Sequence, residues 1–345
     1  MEPGISLCMI VKDESQYLRS CLESINPFVD ELIIIDTGST DDTIAIAKEF
    51  GAKVSSFEWC DDFSAARNES LKYATKEWIL VLDADEQLLL PDFAALRAIL
   101  QDPSLKDSEL IGFQLDQRSY SKIATLKSMP NLVKHPLVSK YPYYVSHKLV
   151  RLFKNTPKIR YRYTIHELVE PSIREHQGKI LDSSIVIHHF GLLKPASFVS
   201  KKIKTYLDLI KKQLANDPEN VRFLYLAGLA SLEEKKEDEA LQYFFEVAKR
   251  DPSYKLVHSE IAKVYLGRQQ YNLAQQYFET CASIHPENPS PINNLSVTFM
   301  HQGKFHKAVQ LLKKHVERFP QNAHLRHNLT IAQDKLKETR TRPIQ

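Results

Sequence analysis

The residues best suited to chemistry are Asp83 and Asp85, which end the run Trp78-Ile-Leu-Val-Leu-Asp83-Ala-Asp85-Glu86. An apolar run that stops abruptly at two carboxylates reads as a buried strand carried to the edge of its sheet, where ligands collect beyond the carboxyl ends of strands. With one residue between them, the two side chains are expected on one face, because side chains alternate along a strand. Two carboxylates so placed suit Mg²⁺ or Mn²⁺, a hard cation that fills its remaining positions with phosphate oxygens and water. The competing reading is a solvated, Asp-rich turn.

Three further stretches carry ligand-type side chains. Ile35-Asp36-Thr-Gly38-Ser39-Thr-Asp41-Asp42-Thr43 is a polar turn leading into a helix; its amides could meet an anion, or Ser39 or Thr40 could be a plain helix cap. Thr164-Ile-His166-Glu167 places an imidazole and a carboxylate about eighty residues after the acidic pair. Ile185-Val-Ile-His188-His189-Phe-Gly191 again ends an apolar strand with potential ligands.

These groups need a scaffold, and the spacing of apolar residues supplies one. Strand patterns over 5–11, 31–35, 53–58, 78–82 and 110–115 alternate with helix patterns over 14–25, 41–50, 63–73 and 91–100. Such alternation predicts a mostly parallel sheet covered by helices on both faces. Strands over 143–153, 159–169 and 184–189 are expected as antiparallel additions that close the site, and 119–140 as a mobile loop over it. Farther on, Asp217-Pro-Glu-Asn, Asp251-Pro-Ser-Tyr, His285-Pro-Glu-Asn and Phe319-Pro-Gln-Asn set a proline every 34 residues, the period of a tetratricopeptide repeat. Small residues recur in phase at Gly228, Ala262 and Ser296 and at Ala240, Ala274 and Ala308. Three repeats with a capping helix over 323–337 are predicted.

The order Ser6-Leu-Cys-Met-Ile-Val11, Asp36-x-Gly-Ser39-x-Asp41, Trp59-x-Asp61-Asp62-Phe63-Ser-Ala-Ala66-Arg67-Asn68 and Asp83-Ala-Asp85 resembles the family 2 glycosyltransferases over roughly residues 4–195. It is most similar to the branch with lipopolysaccharide-core glucosyltransferases and the S-glycosyltransferases of bacteriocin peptides, some of which carry tetratricopeptide tails. The resemblance implies an α/β GT-A domain, a Rossmann-like mixed sheet, over 1–195, a linker helix over 196–216, and an all-α repeat domain over 217–340. It also implies inverting transfer from a nucleotide-diphosphate sugar with a divalent metal. By that resemblance Asp36, Arg67 and Asp83 bind the nucleotide sugar, Asp83, Asp85 and His189 hold the Mg²⁺ or Mn²⁺, and Glu167 with His166 serves as the base. Asp116 competes with Glu167 for that role, and either His188 or His189 could face the site. Thr37 stands where the family commonly has a second aspartate, which loosens the assignment of the base; uridine is the first expectation.

Composition excludes little else. The 345 residues are 43% hydrophobic and 26% charged with a formal net charge of +3, which is ordinary for globular domains and makes no demand for nucleic acid. Cys8, Cys21, Cys60 and Cys281 lie too far apart for a metal knuckle or a disulfide framework, so a reduced, cytoplasmic setting is expected. No run reaches the roughly 20 apolar residues of a membrane span. Lys201, Lys202, Lys204, Lys211 and Lys212 leave room for peripheral contact with a membrane. The repeats suggest docking of a peptide, protein or glycan acceptor, or pairing of two copies. Two rival functions stay open. Nucleotidyl transfer would need a Gly-rich basic loop after the first strand, which is lacking; a non-catalytic peptide-binding scaffold would tolerate decay of the acidic and basic residues, which are intact.

Overall fold

The computed structural model describes residues 3–105, 110–124, 128–194 and 196–341, and the chain divides into two compact units, Met1–Lys201 and Lys202–Gln345. Among the described residues, the first unit has nine strands in one sheet: β1 (Ile5–Val11), β2 (Glu31–Asp36), β3 (Lys53–Ser56), β4 (Trp78–Val81), β5 (Glu86–Gln87), β6 (Ile111–Ser121), β7 (Met129–Pro130), β8 (Tyr143–Lys154) and β9 (Lys179–His189). The helices α1 (Ser15–Ile25), α2 (Thr43–Glu49), α3 (Phe63–Tyr73), α4 (Leu90–Leu100) and α5 (Glu170–Glu175) accompany them.

The strand order is β3-β2-β1-β4-β8-β6-β9-β5, with β7 on β8. The pairs β1–β2, β1–β4 and β2–β3 are parallel. These strands are buried on both faces and are therefore apolar at nearly every position rather than at alternate ones. Period two still sorts them. Leu7, Met9, Ile34 and Leu80 pack with Leu18 and Leu22 of α1 and Leu96 of α4, whereas Cys8, Ile33, Ile79 and Val81 pack with Leu71 of α3. Because β2 and β4 flank β1 on opposite sides, the chain order reverses there, at the carboxyl ends of β1 and β4, where α/β sheets form ligand-binding crevices.

The later strands depart from expectation in three ways. β8 is antiparallel to β4 and β6, as predicted, but β9 begins at Lys179 and runs parallel to β6. The stretch 159–169 is a loop, not a strand: it holds one isolated bridge, Arg162 to Leu168, and its backbone is spoken for by α3. The Asn68 side chain donates to the Tyr161 carbonyl at 3.0 Å and accepts from the Tyr161 amide at 2.8 Å, and the Phe63 amide donates to the Thr164 carbonyl at 2.9 Å. Much of 119–140, expected as a mobile loop, is anchored instead. β6 continues to Ser121, Met129 and Pro130 pair with β8, and Asn131 donates to the Val138 and Tyr141 carbonyls, both at 2.8 Å; residues 125–127 lie outside the described part.

Helix α6 (Ala196–Asn216) crosses the boundary between the units, and the side chains of Lys201 and Lys202 in the expected basic cluster lie outside the described residues. Three helix pairs follow: α7 (Val221–Glu233) with α8 (Glu237–Arg250), α9 (Val257–Gly267) with α10 (Tyr271–Ile284), and α11 (Pro289–His301) with α12 (Phe305–Arg318); α13 (Ala323–Thr341) closes the stack. The phased tetrads are the connections. The asparagine ending three of them caps the next helix: Asn220 accepts from the Phe223 amide, Asn288 from Ser290 and Asn322 from Leu325, satisfying amides that a helix start leaves open. Phe244, Phe278 and Leu312, one per repeat, are fully buried, as are Ala240, Ala262, Ala274, Ser296 and Ala308.

The fit is close at Gly228, where a Cβ would lie 2.5 Å from the Phe244 ring, whereas one at Gly267 would meet nothing within 4 Å. Replacing Gly228 with leucine is expected to cost about 1–3 kcal/mol by overpacking, and replacing Gly267 with alanine to gain up to about 1 kcal/mol of helix stability; urea unfolding followed by circular dichroism measures both.

Candidate active site

The acidic pair sits where β4 ends, but not as a continued strand. Regular pairing stops at Val81, and the Glu86 amide donates to the Asp83 carbonyl at 3.0 Å, closing a turn over 83–86. Side-chain alternation therefore does not extend to Asp85, and the two carboxylates take different partners. Asp83 accepts from Arg67 Nη2 at 2.6 Å and from Arg151 Nη2 at 3.2 Å. Asp85 lies 2.9 Å from Lys194 Nζ through Oδ2 and 3.6 Å from His189 Nε2 through Oδ1.

Arg67 is placed by α3. Asp62 starts that helix by accepting from the Ala65 amide at 3.0 Å, and one turn later Arg67 enters the interior at 5% exposure. Its Nε donates to Glu167 Oε1 at 2.9 Å and its guanidinium lies 5.8 Å from the centre of the Tyr161 ring. Burial opposes the Arg67 charge, but Asp83 and Glu167 more than offset it and hold its pKa well above the ordinary value. Arg151 from β8 is held the same way, against burial, by Glu86 and Asp83.

Glu86 is fully buried beneath this pair. It accepts from the Asp83 amide at 2.8 Å and from Gln117 Nε2 of β6, and it lies 3.5 Å from Arg151. Burial pushes its carboxyl above the ordinary value, against the pull of Arg151.

Register decides between the two histidines. His189 pairs with Glu86 across β9 and β5 and with Ser119 across β9 and β6. Its Nδ1 is hydrogen-bonded to Ser119 Oγ at 2.7 Å, which turns Nε2 toward Asp85. His188 points to the opposite face, buried at 2% exposure, with Nδ1 bonded to Tyr120 Oη at 2.8 Å and Nε2 3.6 Å from Asp92. The same alternation sets Asp116 aside as a base: Gln117 and Ser119 touch Glu86 and His189, so Asp116 faces away, bonded to Arg118 Nε at 2.8 Å and to Ser146.

His166 and Glu167 part company. The loop turns through left-handed backbone at Tyr163 (φ 73°) and His166 (φ 50°), leaving His166 exposed while Glu167 reaches Arg67.

Asp36 is 4% exposed, and its carboxylate is committed to the turn that follows it, accepting from the Gly38 amide at 3.0 Å and the Ser39 amide at 3.1 Å. Gly38 has φ 105°, a backbone that favours glycine. The amides expected to meet an anion are thus already used by Asp36, and Ser39 is not a helix cap, since its hydroxyl accepts from the Asp13 amide at 2.9 Å.

The expected trio of Asp83, Asp85 and His189 is not assembled around one point: the described residues contain no group of three His, Cys, Asp or Glu side chains arranged to hold a metal, and Asp83 is turned to guanidinium groups. Asp85 and His189 do converge, on space that Gly191 keeps open, for a Cβ at 191 would lie 2.4 Å from His189 Nε2 and 3.1 Å from Asp85 Oδ2. A carboxylate and an imidazole at such a cradle fit a divalent cation that draws its other ligands from phosphate oxygens. Sequence reasoning missed Arg151, Glu86, Lys194 and Glu14. Glu86 closes the acidic run without a role being read for it, and Arg151 left a trace as a charge in the otherwise apolar segment Leu149-Val-Arg151-Leu-Phe153.

Removing the guanidinium at Arg67 would leave Asp83 and Glu167 without the cation they share. Arg67→Met is expected to destabilise the first unit by about 3–5 kcal/mol at neutral pH. Urea midpoints of wild type and variant at neutral pH measure the deficit.

Comparison with known proteins agrees with this architecture. Residues 6–105 match the model of glycosyl transferase family 2, and residues 203–255 and 265–330 match tetratricopeptide repeat models. A TPR repeat-containing protein of Synechococcus elongatus is 42% identical over 193 residues, covering 54% of this chain and 42% of that protein. The SPbeta prophage-derived glycosyltransferase SunS of Bacillus subtilis is 27% identical over 246 residues, covering 70% of this chain and 52% of SunS. The chain thus spans about half the length of these relatives. Among solved structures, glucosyl-3-phosphoglycerate synthase from Mycobacterium tuberculosis overlaps 32% of this chain and 43% of its own at 27% identity, with a TM-score of 0.27. The chain carries a glycosyl transferase family 2 domain at its N-terminus and tetratricopeptide repeats at its C-terminus.

Proposed function

We propose that the first unit is a metal-dependent, inverting glycosyltransferase that moves a sugar from a nucleoside-diphosphate sugar to a peptide, protein or glycan acceptor. The observation that carries this reading is the arrangement at the carboxyl end of β4. Two buried guanidiniums fix Asp83, and beside them Asp85 and His189 face a cradle left open by a glycine. The family match over 6–105 and the relative named a glycosyltransferase support sugar transfer as the class of reaction.

Breaking a sugar–phosphate bond builds negative charge on the departing diphosphate. Asp85 and His189 would hold a divalent cation, which would supply positive charge against that diphosphate. Asp83 is the donor-facing carboxylate, positioned by Arg67 and Arg151 for the ribose. Asp36, at the end of β2, borders the nucleotide, with uridine the first candidate base. Glu167 is the base that takes the acceptor's proton as the new bond forms. Its ion pair with Arg67 orients the carboxylate and ties it to the donor side of the crevice through Asp83. The repeats, which offer stacked helices, dock the acceptor. No helix of the described residues is long and apolar enough to cross a membrane.

Thermal shift with UDP-, GDP- and dTDP-sugars, with and without Mn²⁺, is the direct test, since a ligand of the folded state raises its stability. One nucleotide class is expected to stabilise the protein only with metal, and Asp85→Ala to abolish the effect. Glu167→Gln should keep donor binding while lowering transfer about 10²–10⁴-fold. Absence of any donor-induced shift, with peptide binding indifferent to Asp85→Ala, would instead establish a scaffold.

A further inference from the structure

Lys194 lies five residues beyond His189, past the turn that ends β9. Phe190 donates its amide to the Asp85 carbonyl at 3.0 Å, and the Leu193 amide donates to the Phe190 carbonyl at 2.9 Å, so the chain folds back and returns Lys194 to Asp85. There it is 9% exposed. Its ammonium lies 2.9 Å from Asp85 Oδ2, 2.8 and 2.9 Å from the two oxygens of Glu14 at the start of α1, and 4.7 Å from the centre of the Tyr17 ring.

We propose that the Lys194 ammonium is a resident counter-cation of Asp85 that a divalent metal must displace, so that metal and donor diphosphate load together rather than in sequence. The inference rests on the metal-dependent donor site proposed above.

The argument is one of charge and space. Asp85 offers two oxygens: Oδ1 faces His189 and Oδ2 is taken by Lys194. A second full positive charge a few ångströms from an ammonium is strongly disfavoured in a partly buried site, where charges interact several-fold more strongly than in water. Metal alone therefore binds against Lys194. Glu14 holds the ammonium from the other side through both oxygens, so displacement from Asp85 does not strand the charge. A diphosphate brings the negative charge that lets both cations stay. Lys194 thus becomes a source of coupling between the two ligands, and such coupling is reciprocal.

The test uses the full chain, with Mn²⁺ alone and Mn²⁺ with UDP as probes, and reads free Mn²⁺ by electron paramagnetic resonance. Lys194→Met should tighten binding of Mn²⁺ alone about tenfold and shrink the enhancement that UDP produces by a similar factor. Glu14→Gln should act the other way, weakening binding of Mn²⁺ alone by leaving the ammonium to Asp85. If Lys194→Met fails to fold by circular dichroism, Glu14→Gln decides. Wild-type binding of Mn²⁺ with UDP, together with no tightening in folded Lys194→Met or no weakening in Glu14→Gln, would overturn the inference and leave the donor site standing. Absence of Mn²⁺ binding by wild type in the presence of UDP would overturn both.

Discussion

The site of the first unit depends on one buried guanidinium. Arg67 joins three segments that are remote in sequence: its own helix, the turn after β4 through Asp83, and the loop at 162–168 through Glu167. A buried arginine is tolerable only with its charge met, and a buried carboxylate only with its own. Each group thus makes the others possible. The adjacent Asn68 performs the backbone half of the same task, gripping Tyr161 at both amide and carbonyl. Two consecutive residues of α3 therefore position a loop that makes no strand of its own, and the left-handed residues Tyr163 and His166 are held in place by these attachments.

Much of this was legible in the sequence. The apolar runs of β1, β2 and β4 and the helix spacing between them specify a parallel sheet, because strands buried on both faces and helices buried on one leave different periodicities. The 34-residue phase of Pro218, Pro252, Pro286 and Pro320 specifies the repeats equally well. The strand-end position of Asp83 was readable, but its partners were not. Arg151 arrives from a strand about seventy residues later, and pairing across a sheet has no signature in either strand alone. The same limit explains Lys194 and Glu14, which meet across 180 residues.

Elsewhere local pattern and tertiary context disagree. Aromatic and β-branched residues over 159–169 favour a strand, yet their backbone groups find partners on α3 instead. The turn at 83–86 breaks the alternation that would have set both aspartates on one face. Both departures lie at the site, where side chains must converge on a point rather than line a surface, and regular structure cannot do that.

The order of the strands has a consequence for how the chain comes to life. β5 is paired with β9, so Glu86 waits for His189, and β4 finds its outer neighbour only when β8 has been made. Contacts this distant along the chain close slowly, since the intervening segment must first be confined. As the polypeptide leaves the ribosome, Asp83 and Asp85 emerge early, while Arg151, His189 and Lys194 follow as the last parts of the unit. Until then Asp83 has Arg67 but not Arg151, and Asp85 and Glu86 stand without the cations that meet them in the finished fold, so the nascent domain remains incomplete until Lys194 has been translated.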